Sequence, residues 1–306
     1  MTALALLLAT LAACANAAGD LFQRASARSE TSDLRGSVSL LVRLVRQPRW
    51  LAGVVISLLG LGIHVTALSF GELATVQPVL VAELPLAVVG ASYLFGRGLG
   101  LRDATAVLML AVGLALFVAF LAPGAGRTLT VDGATWAVGV GAVAALILLL
   151  VVAGWRAERD VRGGLLSAAA GAGYGLTGVF FSVTGKTVDA QGLSAALGTW
   201  QTYGALAAGG LSFYLLQNAL TAGKLVAVEP GLTLVNPLVA VTWGILIFGE
   251  DVRTGGALVG SAVGGVLLVA GVVLLARSPV LENHVAAEPP TAPASPPSPP
   301  SRAGGR

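Results

Sequence analysis

One carboxylate in this chain stands where a carboxylate is costly. Glu83 sits ten or more residues from either end of the apolar block Leu73–Phe95. A charged side chain at the centre of a membrane helix costs about 2.5–3.5 kcal/mol on insertion scales, so such residues mark ion and substrate pathways. The face Glu83 shares with Val79, Ala87 and Gly90 is mostly small, which suits packing against other helices. Pro85 follows two residues later and has no N–H to donate to the carbonyl of Val81. A carboxylate beside an interrupted backbone ladder is suited to holding a cation or a proton. A buried structural glutamate, hydrogen-bonded to a neighbouring helix, would look the same in sequence.

Other polar groups fall inside apolar blocks. Asn236-Pro237 lies at matching depth in the block Leu225–Phe248, where Glu229, Thr233, Asn236, Ala240 and Gly244 form one stripe at helical spacing. Glu229 is about one turn from the end of that block, and Gln77 occupies the corresponding place in Leu73–Phe95. Asn16 shares a face with Asp20 and Gln23, Tyr174 with Thr177, and Gln201 lies between Trp200 and Tyr203. His64 is the one histidine within an apolar block. Each of these suits a substrate path and each suits an interhelical hydrogen bond.

Some patterns carry no chemistry. Gly173-Tyr174-Gly175-Leu176-Thr177-Gly178 spells a dinucleotide fingerprint, but it follows no strand and sits inside an apolar block. Gly256, Gly260 and Gly264 form a small-residue stripe suited to close helix contact, either within the chain or in a homodimer. One cysteine and two histidines give neither a disulfide framework nor a Cys/His zinc cluster. Paired carboxylates at catalytic spacing, a Ser/His/Asp set and a phosphate loop are missing, so the reading is of a protein that is not an enzyme and needs no cofactor.

The elements that must position these residues are membrane helices. Of 306 residues, 56% are hydrophobic and 11% charged, with a mean hydropathy of +0.85. Soluble domains carry about 25% charged residues. Nine blocks are apolar enough to span: Ala3–Phe22, Trp50–Phe70, Leu73–Phe95, Ala104–Leu121, Ala134–Trp155, Gly164–Gly185, Ala195–Gln217, Leu225–Phe248 and Gly256–Ala276. Leu11-Ala12-Ala13-Cys14 looks like a lipoprotein cleavage box, but no Lys or Arg precedes it, so the first block is read as a helix. The basic connection Arg24–Arg49 includes Leu40–Arg46, which suits a short interfacial helix. Nine spans put fifteen Lys and Arg on one side and only Arg127, Lys186 and Arg253 on the other. The positive-inside rule then sets the N-terminus outside and the C-terminus in the cytoplasm of a plasma membrane, with lipid rather than nucleic acid as the partner of the net +3 charge. Trp50, Trp136 and Trp155 fall at block ends, where indole rings favour the headgroup layer. The tail 278–306 is rich in Pro, Ala and Ser and reads as disordered.

The chain also contains a duplication. Ala67, Leu68, Gly71, Leu73, Val76, Pro78, Leu80, Pro85 and Leu86 recur 152 residues later as Ala219, Leu220, Gly223, Leu225, Val228, Pro230, Leu232, Pro237 and Leu238. Two repeats follow, 1–122 and 163–277, with four helices each and a linker helix in 123–162. Five spans separate equivalent helices, and an odd number inverts the second copy in the membrane. Inverted repeats characterise secondary transporters, whose sites lie near the midplane between the copies. The expected fold is therefore an all-α polytopic membrane protein of about nine transmembrane helices in two inverted-topology repeats.

This pattern of Ala-Leu, a small-residue turn, a Pro-containing helix ending in Phe248-Gly249-Glu250 and a Gly-rich last helix resembles the drug/metabolite transporter superfamily, in its EamA-like branch. The resemblance covers 1–277 and implies a carrier of small metabolites. It departs from the usual ten helices, and the first copy reads Phe95-Gly96-Arg97 where the family favours an acidic residue. The nine-helix layout is also similar to NIPA-type magnesium transporters, which would make Glu83 a metal ligand. A membrane scaffold without transport is the reading from another class.

Overall fold

The computed structural model describes residues 2–28, 46–94, 100–223 and 225–277. Among them every regular element is helical: α1 (Thr2–Arg28), α2 (Pro48–Phe70), α3 (Leu73–Leu80), α4 (Glu83–Leu94), α5 (Leu101–Leu121), α6 (Gly133–Trp155), α7 (Arg159–Gln191), α8 (Leu193–Gly198), α9 (Trp200–Ala222), α10 (Leu225–Leu246) and α11 (Gly256–Ala276), with a single 3₁₀ turn at Thr128–Thr130. Part of the basic connection 24–49, the Phe95-Gly96-Arg97 segment, Lys224 and the tail lie outside the described residues.

Seven helical segments are long and apolar enough to cross a membrane: Ala3–Gln23, Pro48–Phe70, Leu73–Gly90, Leu101–Leu121, Gly133–Trp155, Arg159–Gln191 and Gly256–Ala276. The protein is therefore an all-α membrane protein. Of the other two expected spans, α10 contributes the shorter apolar stretch Pro230–Leu246, and Ala195–Gln217 falls on α8 and α9. Polar residues at both ends of α9, Gln201 and Thr202 at one and Gln217 and Asn218 at the other, dilute its hydropathy.

Burial is distributed as a bilayer requires. On α1 the small residues Ala5, Ala9, Ala12, Ala13 and Ala17 face the bundle, while Leu4, Leu7 and Leu11 point outward. Lipid tails are as apolar as a leucine, so tight packing of small residues holds helices together while the large ones meet lipid. The central helix is α7: 83% of its membrane window is buried, against 17% for α6. It packs on α2, α6, α9 and α10, and its glycines allow those approaches. A Cβ on Gly175 would stand 2.7 Å from the Asn236 carbonyl, and one on Gly171 2.9 Å from that of Gly231. The fingerprint-like Gly173–Gly178 run is thus helix packing.

The remaining strong pairings are α1 with α2 and α5 with α11. Gly264 faces backbone of α5, with Gly113 O 2.7 Å from where its Cβ would be, and Gly260 lies against the Phe120 ring. Two members of the last-helix stripe therefore pack internally, whereas a Cβ on Gly256 would meet open space. Trp136 stands in the first turn of α6, at the expected helix end, but inside the bundle. It is buried among Phe180, Trp200, Trp243 and Phe248, with ring centroids 5.2–6.1 Å away, in an aromatic nest supplied by the neighbouring helices. Trp155 is exposed, as expected.

Candidate functional site

The two proline-bearing helices behave differently. In the first copy the helix breaks at Val81 and Ala82, between Pro78 and Pro85. In the second, Pro230 and Pro237 sit within one continuous helix, α10. The break is closed by tight three-residue bonds: Val81 N–H donates to Pro78 O (3.1 Å), Ala82 N–H to Val79 O (3.0 Å) and Leu84 N–H to Val81 O (3.2 Å). The Val81 carbonyl expected to lack a donor therefore has one, because the chain tightens toward a 3₁₀ turn when Pro85 withholds the usual N–H.

Glu83 restarts the chain as the first residue of α4. It is half-buried, and its Oε2 accepts a hydrogen bond of 3.1 Å from Asn16 Nδ2 on α1. Asn16 fits there because Gly60 of α2 leaves room for its amide; a Cβ at 60 would collide with Asn16 Oδ1. The amide that reaches Glu83 is thus Asn16, 67 residues away along the chain. Asn236 lies in the α7–α10 interface, with its backbone carbonyl against Gly175. Its Oδ1 is buried without a hydrogen-bond partner, a state that normally calls for a ligand or water.

Gln77 is 3% exposed and lies over Gly178, with its amide 3.3 Å from His64 Nε2 on α2. It ties α2, α3 and α7 together. Tyr174 is half-buried on α7, and Gln201 is half-exposed on the first turn of α9. Glu229 belongs to α10, but its side chain lies outside the described residues. Ser182 Oγ, Thr75 Oγ1 and Trp243 Nε1 are also buried without partners. Among the described residues, no three His, Cys, Asp or Glu side chains group as a metal site.

A second polar centre lies at the arginine-poor end of the bundle, and its residues were not among the candidates. Helix α3 begins at Glu72, whose own side chain does not cap it. The free N–H groups of Leu73 and Ala74 donate instead to Glu250, at 2.8 Å to Oε1 and 2.9 Å to Oε2. The chain turns back at Gly249 (φ 63°), a conformation open to glycine, and Glu250 N–H bonds Gly244 O at 2.9 Å. Glu72 is held by Lys186 at 2.8 Å, and Lys186 also donates to Thr128 Oγ1 at 3.1 Å. Gly124 N–H and Arg127 N–H reach Asp251 O and Phe248 O, both at 2.6 Å. Burial pushes the Glu250 carboxyl up to about 7, against the opposing pull of the two backbone donors. The signals were present in sequence: an acidic residue opening α3, a lysine inside an apolar helix, and the Phe-Gly-Glu turn.

The chain is 26% identical over 212 residues to an uncharacterized protein of Corynebacterium glutamicum, a match that covers 69% of this chain and 73% of the relative. No family model and no solved structure matches it. The functional reading therefore rests on the two polar centres.

Proposed function

We propose that this protein is a secondary carrier of small metabolites in the plasma membrane, working by alternating access between two inverted halves, 1–122 and 163–277. In this reading nine spans cross the membrane, with the N-terminus outside and the C-terminus in the cytoplasm. The observation that carries it is Glu83. A carboxylate opens a helix that restarts within the apolar block, paired with Asn16 from another helix at 3.1 Å. A purely structural polar pair gains little in lipid, where side-chain hydrogen bonds average about 0.6 kcal/mol. A carboxylate at that depth suits a group that exchanges a proton or a bound solute.

Three further facts support the reading. Asn236 Oδ1 is buried without a partner in the other copy. The equivalent helix pairs α1–α2 and α7–α9 pack in corresponding ways, and the last helices of the two halves, α5 and α11, pair with each other. The duplicated prolines sit in one broken and one continuous helix, an asymmetry that two halves exchanging roles would use.

The test is reconstitution of the full chain in liposomes carrying internal pH-sensitive and Mg²⁺-sensitive dyes. Amino acids, nucleosides and amines are screened with and without a proton gradient. Solute-dependent proton flux that disappears in Glu83→Gln is the expected result. Mg²⁺ entry without proton movement would assign a cation transporter instead. A folded protein with every flux unchanged by Glu83→Gln refutes the role given to Glu83.

A further inference from the structure

The arginine-poor end holds an excess of buried negative charge. Among the described residues, three charged side chains are withdrawn from water there: Glu250 at 2% exposed, and Glu72 and Lys186 at 19% and 16%. Two carboxylates face one ammonium. The other described charges at this end, Arg127, Asp132, Asp189, Asp251 and Arg253, are exposed and screened by water. The α3 N-terminus adds only about half a positive charge. Thr75, on the same first turn of α3, is 2% exposed and its hydroxyl has no partner. About half a negative charge is left over, which favours taking up one small cation, and both Glu250 oxygens already lie at hydrogen-bond distance from backbone donors. A proton is the cation that needs no further room.

The same residues join the two halves. Glu250 ends the α10 arm of the second half and caps the first turn of α3 in the first, 177 residues away. Lys186, from the end of α7, holds Glu72 beside that turn, and the 122–132 connection ties to Phe248 and Asp251. Any movement that parts α3 from α10 at this end must strip the two α3 N–H groups of their acceptor and bring Glu250 into water.

We infer that Glu250, with Glu72 and Lys186, is a proton-binding latch that closes the arginine-poor, outer end of the carrier. This rests on the carrier reading above for what the closure does. The sign follows from linkage. Closed, the Glu250 carboxyl titrates at about 7; facing water, it returns toward its ordinary 4.5. Closure therefore takes up a proton in the interval between these values, and the closed form gains as pH falls through about 7. A difference of that size allows a change in the closed-to-open ratio on the order of a hundred-fold.

The test uses the full chain in liposomes, with Cys14→Ala and a reporter at Val183→Cys. Val183 is 4% exposed on α7, one turn inward of Lys186. Labelling by a membrane-impermeant maleimide is measured across pH and divided by the rate in the Glu250→Gln background, which cancels ionisation of the thiol. The expected ratio rises several-fold or more from acid to alkaline pH with a midpoint near 7, because the substituted amide stays neutral and keeps that variant closed. A flat ratio overturns the latch. If Glu250→Gln does not fold, emission of the tryptophans beneath Phe248 is titrated in wild type and Lys186→Met. Removing the ammonium moves the midpoint up by ~1 pH unit, and an unmoved midpoint overturns the assignment. Transport lost in Glu83→Gln beside a flat ratio leaves the carrier reading standing and removes the latch. A pH-dependent ratio without solute flux does the reverse.

Discussion

Gly175→Ala places one methyl group where α7 and α10 touch. The added Cβ would lie 2.7 Å from the Asn236 carbonyl oxygen and 2.8 Å from Val239 Cβ. Ordinary contact begins near 3.4 Å, so the helices must part by about 0.7 Å at this point. The nearest obstacle is backbone, which cannot turn aside as a side-chain tip can. Overpacking of this kind costs about 1–3 kcal/mol. Gly141→Ala on α6 is the matched control, because its Cβ would meet nothing within 4 Å. There the exchange removes glycine's excess freedom and stabilises by up to ~1 kcal/mol. The two variants add the same atom and should move in opposite directions, separated by about 1–4 kcal/mol. Thermal unfolding in detergent, followed by tryptophan emission, measures this. If Gly175→Ala is as stable as Gly141→Ala, the central position of α7 and its contact with Asn236 are refuted.

Other outcomes follow from the polar contacts. A double-mutant cycle on Asn16→Ala and Glu83→Gln, read by unfolding in bicelles, should give a coupling of roughly 0.6–1.7 kcal/mol; a value indistinguishable from zero would remove the α1–α4 contact. Pro85→Ala restores the N–H that Val81 O lacks in a regular helix, so it should join α3 to α4, protect the Val81–Leu84 amides against hydrogen exchange and slow solute flux. Asp132 caps α6 by accepting from Thr135 N–H at 2.9 Å and from the Thr135 hydroxyl at 2.7 Å, and these bonds, the hydroxyl's foremost, hold its carboxyl below its ordinary value. Its contribution to stability is present above that ordinary value and lost as pH falls through the lowered one. Wild type should therefore lose protection at Thr135 as pH falls below the ordinary carboxylate range, whereas Asp132→Asn should change little there.

Membrane character, helix positions and the proline pair were legible in the sequence because each is local. Hydropathy needs only a window of residues, and a proline withholds its N–H wherever the chain goes. Glu83 and Asn16 were both recognisable as polar groups in apolar blocks for the same reason. Their pairing was not, because hydrogen bonds between helices leave no mark in either helix alone. Asn236 lies at matching depth in the other copy, and it is the packing of α1 beside α4 that brings Asn16 to Glu83. Trp136 stands at a block end, where headgroups are expected, but neighbours from α7, α9 and α10 enclose it. Glu250 is the clearest case. Its motif was visible, while its role depends on two backbone N–H groups 177 and 176 residues away. Sequence determined which groups would be expensive to bury in lipid; only the tertiary structure decided which of them meet, because partners across a bundle are chosen by helix packing rather than by distance along the chain.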